Sequence, residues 1–181
     1  MSKSSTQNQS LPLAKMRTTM SLTNTKDTFQ GITVSRATLD DSKDIWQWRN
    51  DEQTKLMSIT TDDVSWETHS TWYERSLVNP NRYLYVGYVN NNEKVGMCRF
   101  DIDTEKGVAE VSINLNPLYR SKKLSSQLLS TAMKNFCGEK KMDLVATIKR
   151  ANIGSMKCFT KIGFTFDRDD NGYDYYRYSS T

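Results

Sequence analysis

The sequence predicts a layered α/β domain, and three observations carry that prediction. Segments that alternate apolar and polar residues, as half-buried strands do, are interleaved with segments whose apolar residues recur every three or four positions, as on one face of a helix. Three strand-like runs follow one another between Tyr83 and Leu115. Cap and turn residues punctuate the junctions. The resulting order is β-α-α-β-β-β-α-β-α-β-β, starting near Gly31.

The elements come in this order. Residues 1–30 are rich in Ser, Thr, Asn, Gln and Lys with no sustained period, so they are expected to form a disordered N-terminal segment, with one domain over 31–181. Ile32 to Ala37 alternates as a strand. Asp40 and Asp41 offer N-caps for a helix through Asn50 that carries Ile45, Trp46 and Trp48, with Arg49 on the face of Ile45. Residues 51–64 read as a polar connection. Ser65 caps a second helix to about Asn79, with Trp66, His69, Tyr73 and Leu77 on one face. Strands follow at Tyr83–Asn90, Lys94–Asp103 and Val108–Leu115, the first two joined by a turn at Asn90, Asn91 and Asn92. After a basic loop, a helix runs from about Ser125 to Cys137 with Leu124, Leu128, Ala132 and Phe136 in register and Gly138 as its terminating glycine. Met142–Ile148 is a strand, Asn152 caps a helix ending at Gly163, and Phe164–Asp167 and Tyr173–Tyr178 close the sheet.

Composition narrows the function. The 181 residues carry a net charge of +4, so charge alone does not choose between nucleic acid and a phosphorylated small molecule. The basic residues gather in one loop rather than along a stripe, which argues against nucleic acid. No apolar run is long enough to span a bilayer, and the N-terminus lacks the apolar core of a secretory signal, so no membrane partner and a cytoplasmic location are expected. Three cysteines without metal-type spacing read as free thiols. A single histidine, His69, makes a conventional metal site or a Ser/His/Asp triad improbable, so no metal is expected.

Two motifs resemble those of the GNAT acetyltransferases. The first is the strand, loop and helix start from Val108 to Ser126, whose loop reads Arg120-Ser121-Lys122-Lys123-Leu124-Ser125 where the family has Arg/Gln-x-x-Gly-x-Gly/Ala. Lys123 and Ser125 replace the two glycines, and lysine fits poorly if its backbone must take a positive φ. The second runs from Asn152 to Phe164 and agrees with Asn-x-x-(Ala/Ser)-x-x-x-(Tyr/Phe)-x-Lys-x-Gly-Phe at every fixed position. A third stretch, Trp48-Arg49-Asn50 with Trp66 to Tyr73 and Asn79-Pro80, is similar to the branch of the family that acetylates nucleotide-linked aminodideoxy sugars in pseudaminic-acid-type pathways. Together the matches cover about Ile32 to Phe164.

The resemblance implies a single GNAT-type domain, with a central mixed, mainly antiparallel sheet and helices on both faces. It implies acetyl-CoA as co-substrate, a small-molecule amine as acceptor, here a nucleotide amino sugar, and room for a homodimer. It also implies cofactor contacts from Leu115, Arg120, Ser121, Lys122, Lys123, Leu124, Ser125, Ser126, Asn152 and Phe159, the loop amides and the helix start receiving the pyrophosphate. Phe159 occupies the position of a family tyrosine that protonates the leaving thiolate, which phenylalanine cannot do.

Amide formation needs a neutral amine, and Glu110 lies where several family members place the base that deprotonates it; by residue alone it is equally a solvated strand glutamate. Ser112 and Asn114 share its face. A backbone N–H at a bulge around Asn114 and Leu115 is implied as the oxyanion donor. Arg49 and His69 are expected at the acceptor, with packing as the competing explanation for both. Arg99 and Asp101 share a strand face that either lines the acceptor groove or decorates the sheet. Two alternatives stand beside the sugar acceptor: acetylation of a peptide or ribosomal-protein N-terminus, and a degenerate, non-catalytic CoA-binding interaction domain.

Overall fold

In a computed structural model, residues 31–90 and 92–180 are described. The segment expected to be disordered, 1–30, and Asn91 of the expected turn lie outside them. The chain runs β1 (Thr33–Arg36), α1 (Ser42–Arg49), α2 (Glu52–Met57), α3 (Trp66–Val78), β2 (Arg82–Val89), β3 (Glu93–Asp103), β4 (Val108–Leu115), α4 (Ser125–Glu139), β5 (Asp143–Lys149), α5 (Ile153–Lys161), β6 (Thr165–Asp170) and β7 (Tyr173–Tyr178). The seven strands form one sheet in the order β1-β2-β3-β4-β5-β7-β6. Every neighbouring pair is antiparallel except β4 and β5, so the sheet is mixed and mainly antiparallel, as the family resemblance implies.

Strand alternation sorts the side chains into two cores, one on each face. Tyr85, Cys98, Phe100, Ala109, Val111, Leu144, Ala146 and Ile148 point to the back, where α4 and α5 pack on them through Leu128, Ala132, Phe136 and Phe159. Phe100 and Phe136 stack at 4.4 Å between centroids. Ile45, Trp48, Tyr73, Leu84, Val86 and Met97 form the front core under α1 and α3. Fully burying each large side chain is worth about 1.5–3 kcal/mol, so both helical layers are needed to hold the sheet. The register of β2 on β3 slips at Gly87 and Tyr88, and this bulge turns Val95 to the same back face as Cys98.

Three expectations need correction. Asp41 holds the N-cap position of α1 but makes no side-chain capping bond: with Asp40 it lies in a short 3₁₀ turn, where its carboxylate accepts from the backbone and hydroxyl of Thr38. Residues 51–64 are not wholly a connection. They contain α2, whose N-cap Asp51 accepts from the Thr54 amide at 3.1 Å. Gly138 does not end its helix, because α4 continues to Glu139 and hydrogen-bonds Lys140 back to Phe136. Ser65 and Asn152 cap α3 and α5 as expected, accepting from Thr68 at 3.2 Å and Ser155 at 3.0 Å. Trp66 opens α3 and stays 46 % exposed, outside the packed face on which His69 and Tyr73 are buried.

Candidate active site

The parallel ladder between β4 and β5 consists of three pairs, Val108 with Asp143, Ala109 with Leu144, and Glu110 with Val145. Beyond them the two strands part, while β4 stays paired with β3 as far as Leu115. A cavity of about 490 Å³ opens on the front face over this parting. Its floor is β4 from Glu110 to Asn114 and β5 from Thr147 to Lys149; α1, α3 and the α2 segment wall it.

The structure brings seven of the expected residues to this cavity: Glu110, Asn114, Asn152, Phe159, Arg49, His69 and Arg99. Glu110 is exposed there. Asn114 accepts weakly from the Thr54 hydroxyl at 3.4 Å. Phe159 is buried against Phe164 at 5.0 Å. The Arg49 Nη2 donates to the Thr60 carbonyl at 2.7 Å, whereas its Nη1 is buried without a partner. Burial lowers the Arg49 pKa, against the opposing pull of Asp62 and Asp63.

His69 is 2 % exposed, and its Nε2 lies 2.9 Å from the Ser42 carbonyl. A carbonyl only accepts, so Nε2 carries the hydrogen and Nδ1 keeps the lone pair. Burial pushes the imidazole pKa below its ordinary value, only partly countered by the Ser42 contact. Trp72 and Tyr73 flank the ring at 5.7 and 5.5 Å.

Other expected residues stand elsewhere. Asp101 does not line the cavity; it pairs with Arg82 and sits 2.8 Å from the Arg99 Nε, so it positions the arginine that does. Leu115 packs toward the back core. The bulge expected at Asn114 and Leu115 is absent on the β3 side, where register is unbroken from Asp103–Val108 to Gly96–Leu115. A different device holds this stretch: a Cβ on Gly96 would meet the Asn114 carbonyl oxygen at 2.6 Å, so the glycine permits a close approach of the two strands.

The loop residues lie after the end of β4, off the cavity. Arg120 is held by α2, with its Nη2 2.5 Å from Asp51 and 2.6 Å from the Thr54 hydroxyl. Ser121 and Lys123 both have φ of 61°, so a lysine does occupy the left-handed conformation that suits glycine. Lys122 lies over the Tyr119 ring at 5.2 Å. Leu124 is buried in the back core, and Ser125 and Ser126 sit in the first turn of α4. Unlike α2, α3 and α5, helix α4 starts without a side-chain cap. Left-handed Lys123 followed by right-handed Leu124 is the alternation that turns successive amides toward one anion. These features fit the pyrophosphate of a coenzyme A, and the parted strands fit its extended arm.

Sequence reasoning missed Lys149, whose Nζ donates to the Leu56 carbonyl at 3.0 Å, and the α2 residues Thr54 and Met57 beside it. The signal for α2 was present: Asp51 precedes an unbroken run of residues that tolerate a helix, Glu52 to Met57.

The profile of the acetyltransferase (GNAT) domain family matches residues 32–165. The chain belongs to the GNAT acetyltransferase family. The GNAT fold is shared with solved structures at low identity. A domain from Methanocaldococcus jannaschii is 20 % identical with a TM-score of 0.72, over 83 % of this chain and 98 % of that one. The spermidine N-acetyltransferase of Vibrio cholerae, solved with CoA and spermine, is 13 % identical with a TM-score of 0.70, over 81 % and 93 %. An aminoglycoside acetyltransferase in complex with coenzyme A is 16 % identical with a TM-score of 0.70, over 82 % and 94 %. No curated protein sequence matches the chain. As a GNAT domain it is an acetyl-CoA-dependent N-acetyltransferase. Among the described residues no group of three or more His, Cys, Asp or Glu is placed to hold a metal.

Proposed function

We propose that this GNAT domain acetylates the amino group of a nucleotide-linked aminodideoxy sugar. The observation that carries the proposal is the meeting of Arg49 and His69 with Glu110 in one cavity over the parted strands. Acetyl-CoA supplies the acetyl group as a thioester. Glu110 takes the proton of the acceptor ammonium, directly or through water. Backbone N–H groups of β4 beyond Glu110, on the side that has parted from β5, meet the developing negative charge. His69, neutral and with Nδ1 as acceptor, takes a hydrogen bond from a sugar hydroxyl, while Arg49 meets the diphosphate. Phe159 walls the thioester end without giving a proton, so the departing thiolate draws its proton from solvent or the substrate.

The acceptors named for two structural neighbours, spermidine and aminoglycosides, belong in the test because both are amines. A CoA-release assay over nucleotide amino sugars, free amino sugars, N-terminal peptides, spermidine and an aminoglycoside decides the matter. Turnover is expected with the nucleotide sugars. Turnover of peptides with none on any nucleotide sugar sinks the proposal, and failure of isothermal titration to detect acetyl-CoA binding makes the domain a non-catalytic module.

A further inference from the structure

We infer that the acceptor carries a fixed negative charge, a phosphate or a carboxylate, and that Arg49 and Arg99 form the subsite that selects it. The inference rests on the acetyltransferase site proposed above, but not on the nucleotide.

The first support is charge balance. The ionised side chains lining the cavity are the cations Arg49, Arg99 and Lys149 and one carboxylate, Glu110. The neighbouring carboxylate Asp101 serves Arg82 and Arg99 together, so one anion faces two guanidiniums. Among the described residues, Arg49 has no carboxylate in ion-pair contact. Asp62 and Asp63 act on it only at longer range, and Asp63 is paired with Lys55 at 2.5 Å. His69 adds no balancing charge, being buried and hydrogen-bonded as a neutral ring. Cations thus outnumber carboxylates in the cavity lining.

The second support is an orphaned donor. Among the described residues, Arg49 Nη1 is buried in this cavity without a hydrogen-bond partner, whereas Arg99 Nε already meets the Asp101 carboxylate at 2.8 Å. Buried donors without acceptors are rare, because the desolvation of each goes uncompensated. An oxyanion supplies the acceptor that Arg49 Nη1 lacks, and guanidinium forks match phosphate and carboxylate oxygens.

The third support is rigidity. Arg99 is held by Asp101 on one side and lies 5.9 Å from the centroid of the Trp72 ring, which also contacts His69. Arg49 is fixed through Thr60. Neither arginine has to be ordered anew when an anion arrives, which favours affinity.

Steady-state CoA release from the wild-type protein is measured with an amino sugar, its 1-phosphate, its nucleotide diphosphate form, an amine bearing only a carboxylate, and spermine. Acceptors that carry a phosphate or carboxylate are expected to exceed the amino sugar that has neither by about tenfold or more in kcat/KM, with spermine poorest. Arg49→Gln and Arg99→Gln are each expected to remove roughly tenfold of that advantage through KM, with the KM of acetyl-CoA unchanged. Inorganic phosphate is expected to compete with the acceptor. Phosphate-bearing sugars alone being favoured assigns the subsite to phosphate, and the carboxylate amine alone being favoured keeps the inference while refuting the nucleotide sugar. Equal use of the amino sugar without an anionic group, or of spermine, by the wild type overturns the inference even if the variants fail to fold, as does an equal loss on acceptors with and without the anionic group.

Discussion

Glu110 is exposed on the cavity floor, one strand over from the Asp101 that positions Arg99. With Glu110→Gln, kcat should fall roughly 10²–10⁴-fold near neutral pH, and the deficit should shrink as rising pH deprotonates the amine without help. A kcat–pH profile parallel to that of the wild type removes Glu110 from the chemistry. Lys123 is a separate case: its φ of 61° strains any side chain with a Cβ. Lys123→Gly should therefore raise stability by about 1 kcal/mol, or roughly 2–4 °C in thermal melting for a domain of this size. No gain would mean that the lysine side chain makes compensating contacts. Glu110, Arg49 and His69 were legible as site candidates through the family resemblance, while strand and helix periods fixed only the face each occupies. The role of Asp101 was not, since its face is set by alternation but its partner, Arg82, comes from another strand.

At the scale of elements, α2 ties the two sides of the parted sheet together. Arg120, following β4, grips its N-terminal end through Asp51 and Thr54, while Lys149 and Asn152 reach the carbonyls of Leu56 and Met57 at its C-terminal end. The Arg120 bond to Asp51 is the main cause of that carboxyl's pKa lying below its ordinary value. In the proposed role of Arg120 at the coenzyme pyrophosphate, the pyrophosphate would compete with Asp51 for this arginine. Asp51→Ala should thus lower the KM for acetyl-CoA about threefold to tenfold, while costing about 1 kcal/mol of stability through the lost N-cap. An unchanged KM would make Arg120 a purely structural residue. Sequence periodicity could not show α2, because six residues give barely more than one turn and no apolar stripe. The longer elements, with a cap or a strict alternation behind them, were legible to within a few residues.

For the whole molecule, His69 gives the pH dependence of folding a readable signature. Its folded pKa is below its ordinary value of 6.5, so acidification protonates the unfolded chain before the folded one. Stability is then full above the ordinary value and is lost as pH falls from there toward the folded pKa. The sequence contains one histidine, and carboxylates titrate lower, so melting temperature measured from about pH 7 to 5 should fall for the wild type and flatten in His69→Gln. Equal slopes would show that the ring titrates normally. The layered architecture was legible because local periods report which faces are buried; the length of the β4–β5 ladder was not, because no local pattern encodes where two paired strands stop pairing. That ladder has a consequence for handling the protein. A sheet normally keeps its edges at its margins, whereas past Glu110 and Val145 this one has an edge in its interior. Unpaired strand backbone is a template for other chains, so protein stripped of its co-substrate should clump on heating through this seam. Coenzyme A at a hundredfold excess over its Kd adds about 2.7 kcal/mol of stability by mass action, and in the proposed binding mode it would close the template as well. The lifetime of the protein would then follow the supply of coenzyme A.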